Sequence, residues 1–76
     1  MERVIWAVNT ITAGSVRAKL DTMGVPRADQ SDTVVDRIVW ELGAVLRQRA
    51  RYPSWMLDDE FEQLCRDVLE AAARRA

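Results

Sequence analysis

The chain contains no histidine and a single cysteine, Cys65. These two shortages exclude much of the usual chemistry at neutral pH. No intrachain disulfide can form, no Cys/His zinc site can be assembled, and the commonest general base is missing. Lysine is scarce too: all but one of the 11 basic residues are arginine, and with 12 acidic residues the formal charge is −1. A balance so near zero exerts no global pull on nucleic acid or anionic lipid. The three glycines, Gly14, Gly24 and Gly43, lie too far apart for a phosphate-binding loop. The longest unbroken apolar run is Val4 to Val8, far short of the roughly 20 residues that a spanning helix needs. Glu2 beside Arg3, with Asn9, Thr10 and Thr12 following, does not read as a secretory signal. The expectation is a cytoplasmic protein with no membrane span, a reading the lone thiol also fits.

What is present reads as a folded protein. Apolar residues make up 49% and charged residues 30% of the chain, the balance of a globular domain. Its 76 residues allow one domain, 1–76. A chain this short buries only about 60% of the surface its unfolded form exposes, and small domains without a staple often gain stability by pairing or docking. Arginine in place of lysine, with many alanines, points to a GC-rich coding genome, bacterial or phage.

Two breaks, Gly24-Val25-Pro26 and Tyr52-Pro53-Ser54, divide the chain into three segments. In the middle one, Asp29, Ser31 and Asp32 are capable N-caps. Val34, Val35, Ile38, Val39, Leu42, Val45 and Leu46 fall within an arc of about 140°, and Arg47, Arg49 and Arg51 place positive charge at the helix end. This predicts a central helix over 31–51. In the third segment Ser54 can cap, Asp58, Asp59 and Glu60 suit the first turn, and Leu57, Phe61, Leu64, Cys65, Val68 and Ala72 share a face, predicting a helix over 55–74. The first segment supports two readings. Val4, Val8, Ile11, Ser15 and Ala18 repeat at helical spacing, which favours one helix over 3–23 bent near Gly14. Residues 4–12 are also rich in β-branched side chains, allowing a strand 3–9 and a helix capped at Ser15; such a strand would need a dimer mate or a bound strand. Either way the expected fold is all-α, a small three-helix bundle.

Chemistry finds little support. Ser15, Ser31 and Ser54 stand where helices begin, and Cys65 falls on an apolar helix face with no histidine to activate it. Asp58, Asp59 and Glu60 are consecutive on a helix and point apart, so they do not converge on a metal ion. The chain is expected to be no enzyme, with no catalytic residue, metal, cofactor or small-molecule substrate.

Binding finds more. Trp40 projects away from the apolar arc of the second helix, on a face shared with Thr33, Asp36, Arg37, Ala44, Arg47 and Arg51. An indole beside arginines and a small residue has the composition of an interface hot spot. Three placements remain open for it: packing under the N-terminal segment or Trp55, a homodimer surface, or a surface for another protein. Trp6, off the main stripe of the first segment, is a second candidate for exposure, whereas Trp55 reads as a staple at the corner between helices. The partner-binding set is therefore Trp40, Arg37, Ala44, Arg47, Arg51 and Trp6. The leading expectation is a stand-alone inhibitor, adaptor or accessory subunit, phage- or mobile-element-encoded in one version, that docks on a protein partner. The alternative is a helix-turn-helix DNA-binding regulator built on 15–45, with Arg47, Arg49 and Arg51 as its basic run. The long Gly24–Gln30 connection and the acids Asp29, Asp32 and Asp36 at the start of its recognition helix make nucleic acid the weaker option.

Overall fold

The structure is a computed structural model and describes residues 5–7, 10–48 and 55–75. Arg49, Arg51, Tyr52, Pro53 and Ser54, which carried part of the sequence reading, lie outside the described residues.

Of the two readings of the first segment, the structure takes the strand and helix. Strand β1 covers Ile5–Ala7, and helix α1 covers Ala13–Thr22. The single helix over 3–23 is thus corrected, and so is the cap. Thr12, not Ser15, is the N-cap. Its Oγ1 accepts the Ser15 N–H at 3.1 Å, while Ser15 Oγ accepts the Thr12 N–H at 2.8 Å. This reciprocal capping box satisfies two donors at once and sets the first turn at Ala13.

The far end of α1 behaves as the glycine and proline demand. Gly24 sits at φ +80°. The Val25 N–H reaches the Leu20 carbonyl at 3.0 Å and the Gly24 N–H reaches Asp21 at 3.1 Å, the paired bonds of a Schellman ending. A short 3-10 turn, Arg27–Asp29, then leads to helix α2, Asp32–Gln48. Ser31 caps α2, accepting the Val34 N–H at 3.2 Å. The corner is held from inside by buried Gln30, whose Nε2 donates to Asp21 Oδ1 at 2.8 Å and to the Val25 carbonyl at 3.0 Å.

Strand β2, Trp55–Leu57, precedes helix α3, Asp58–Arg75. The third helix therefore starts three residues later than 55, because Trp55–Leu57 are spent pairing with β1. The two strands run antiparallel, with Ile5 opposite Leu57, Trp6 opposite Met56 and Ala7 opposite Trp55. The mate that a lone strand requires is supplied by the same chain. Glu60 closes the α3 start, its carboxylate accepting the Leu57 N–H at 3.0 Å.

The resulting bundle has α2 at its centre, packed against both α1 and α3. The buried core joins Val16 and Leu20 of α1, Val35, Ile38, Leu42 and Leu46 of α2, Met56 of β2, and Phe61 and Cys65 of α3. On α3 the expected apolar stripe is buried at Phe61 and Cys65 but only half-buried at Leu64, Val68 and Ala72. Its C-terminal half is incompletely covered, and that gap shapes the site described next. No helix among the described residues is long and apolar enough to cross a membrane.

Candidate functional site

Trp40 lies outside the core: 59% of its surface is exposed. Position on α2 explains this, because Ile38 and Leu42 take the buried side and Trp40 falls between them on the helix's other flank. The indole is nevertheless held. The Arg37 guanidinium stands 5.6 Å from the ring centroid, within cation–π range, and also pairs with Glu41 at 3.0 Å. Arg37, Trp40 and Glu41 thus form one contiguous patch, with Arg37 touching both the ring and the carboxylate.

Beside this patch runs a groove of about 860 Å³ between α2 and α3. Val34 of α2 and Leu64, Val68, Ala71 and Ala72 of α3 contribute its apolar surface. These α3 positions follow helical spacing, and the two alanines keep that wall low. Asp36 and Asp67 border the groove. Asp67 accepts only the Gln63 side-chain amide, at 3.0 Å, and neither carboxylate enters an ion pair among the described residues. A second depression of about 550 Å³, lined in part by Val25, Pro26, Asp29 and Leu69, shares Val34 and Ala72 with the first. The two adjoin at these residues and together make up the α2–α3 furrow.

The sequence-derived set is only partly assembled here. Arg37 and Trp40 meet as expected. Ala44 is half-buried and does not line the groove. Arg47 is exposed but folds back over α2, so that a Cβ on Gly43 would stand 3.0 Å from its guanidinium nitrogen. Arg51 lies outside the described residues. Trp6 is corrected from exposed to packed: its ring lies 4.6 Å from that of Phe61 and its Nε1–H donates to Asp58 Oδ1 at 3.0 Å. The α3 wall was missed as a surface. The periodicity of Leu64, Val68 and Ala72 shows that they share a face but not whether another element covers it.

The Trp6 contact belongs to a second polar cluster. Lys19, whose side chain is only 10% exposed, pairs with Asp58 at 2.8 Å and Glu62 at 3.5 Å. Burial pulls the Lys19 ammonium down, but the hydrogen bond and charge of Asp58, with Glu62 behind it, outweigh this and hold it above its ordinary value. The hydrogen bonds from Lys19 and Trp6 hold the Asp58 carboxyl below its usual range. Burial pushes the nearby Cys65 thiol up to about 11. A fully buried thiol so reluctant to ionise is a poor nucleophile. This cluster ties β1, α1 and α3 together. Among the described residues no three His, Cys, Asp or Glu side chains gather as ligands for a metal ion.

Compared with family models, curated proteins and solved structures, the chain matches none of them.

Proposed function

We propose that this protein works by binding another protein, as a non-enzymatic inhibitor, adaptor or accessory subunit, through the Trp40 face of α2. One observation carries the reading: Trp40, the one aromatic side chain on α2, is 59% exposed and lies against Arg37 at the lip of an apolar groove. Burying that surface on a partner is worth about 3 kcal/mol at the usual apolar coefficient. An indole has few rotatable bonds, so it loses less side-chain freedom on docking than a long flexible side chain of similar area.

The test is a comparison of wild-type protein with Trp40→Ala in affinity capture from lysate of the source organism or its host, alongside circular dichroism. A specific bound protein lost on substitution, with the helical signal intact, supports the reading. Loss of the helical signal would return Trp40 to a structural role and sink it. Binding to random duplex DNA that weakens steeply between low and physiological salt would favour a DNA-binding regulator instead.

A further inference from the structure

The geometry points to a cationic amphipathic helix as the occupant of the α2–α3 furrow, an inference that rests on the protein-binding reading above and gives its partner a chemistry. Shape comes first. The furrow runs along α3 from Leu64 to Ala73, about 14 Å of helix, enough to seat two to three turns of a partner helix presenting apolar anchors at i, i+3/i+4 and i+7. The Trp40 indole forms one bank and the alanines of α3 keep the opposite wall shallow.

Charge then selects among helices. Among the described residues four carboxylates, Asp29, Asp36, Glu41 and Asp67, line the furrow against one guanidinium, that of Arg37. Arg37 is already committed to Glu41 at 3.0 Å. Three of the acids, Asp29, Asp36 and Asp67, enter no ion pair among the described residues. Counted over the described residues, the furrow is thus net −3. Lysines or arginines flanking a partner's apolar stripe would meet unpaired carboxylates, raising association rate and fixing orientation. A second copy docked face to face would set these acids against their own duplicates, a like-charge arrangement that disfavours self-pairing here. A phosphate backbone meets the same repulsion.

The experiment uses two fluorescein-labelled helical peptides of about 18 residues with identical leucine stripes, one flanked by lysine and the other by glutamate. Anisotropy titrations are run with the full chain, with Trp40→Ala and with the double variant Asp36→Lys/Asp67→Lys, whose exposed helix positions leave the core untouched. The lysine peptide should bind at least about tenfold tighter than the glutamate peptide. Trp40→Ala should weaken that binding by a similar factor, and the double variant should reverse the preference. Equal affinity, or preference for glutamate, with Trp40 still required, overturns the cationic partner while leaving the protein-binding reading standing. Lysine-peptide binding indifferent to Trp40→Ala overturns the furrow as its seat, as does failure of both peptides to bind. Sedimentation showing a dimer that Trp40→Ala dissolves would assign the furrow to a second copy and overturn the proposal.

Discussion

Replacing Asp58 by alanine tests the half-buried Lys19–Asp58–Glu62 cluster most directly. The Lys19 side chain is 10% exposed, so its ammonium depends on Asp58 at 2.8 Å and Glu62 at 3.5 Å. Breaking a fully buried pair costs about 3–5 kcal/mol, and an exposed pair only about 0.2–1 kcal/mol. Asp58 is 34% exposed and Glu62 would remain, which places the electrostatic loss between those limits. The substitution also removes the acceptor of the Trp6 N–H. Together these give a destabilisation of about 2 kcal/mol, or a drop of roughly 8–16 °C in Tm for a domain of this size. The pH dependence adds a second readout. Asp58 titrates below its ordinary value when folded, so its contribution is present above about pH 4 and is lost as pH falls through the depressed folded value. Lys19 titrates above its ordinary value, so its contribution is present below about pH 10 and is lost as pH rises through the raised folded value. In Asp58→Ala the acid limb of this pair disappears and the alkaline limb shrinks, since burial of Lys19 is then opposed by Glu62 alone and its folded value falls back toward the unfolded one. Urea unfolding followed by circular dichroism from pH 2 to 11, on wild type, Asp58→Ala, Lys19→Met and the double variant, measures both effects and the coupling between the two residues. A loss within about 0.5 kcal/mol of wild type, with an unchanged acid limb, would refute the reasoning.

The glycines predict opposite signs. Gly24→Ala meets no atom within 4 Å but is forced to φ +80°, so it should destabilise by about 1 kcal/mol; Gly43→Ala displaces only the flexible end of Arg47 and should stabilise α2 by up to about 1 kcal/mol, both read from urea midpoints. Cys65, fully buried with its thiol pushed up to about 11, should resist a thiol-specific chromogenic reagent at pH 8 in the native protein and react once urea unfolds it.

Some features were legible in the chain alone because their causes are local. The Gly24-Val25-Pro26 ending, the α2 cap and the α2 stripe each depend on residues within a few positions of one another; the structure shows the ending, takes Ser31 of the three candidate caps, and buries Val35, Ile38, Leu42 and Leu46 of the stripe while Val34, Val39 and Val45 stay half-buried. The lack of histidine and the isolation of Cys65 are likewise properties of the sequence. Other features depended on which surfaces met. The segment 4–12 carried both helical spacing and β-branched residues, and was decided by the Thr12–Ser15 capping box and by pairing with Trp55–Leu57, some 50 residues away. Trp6 became a packed residue through a hydrogen bond to Asp58, 52 positions distant. Periodicity placed Trp40 off the apolar arc and Leu64, Val68 and Ala72 on one, yet it could not say that the C-terminal half of α3 would be left partly uncovered beside Trp40. A pattern of apolar residues sets which side of a helix turns from water; only the lengths and crossings of the other elements decide how much of that side is covered.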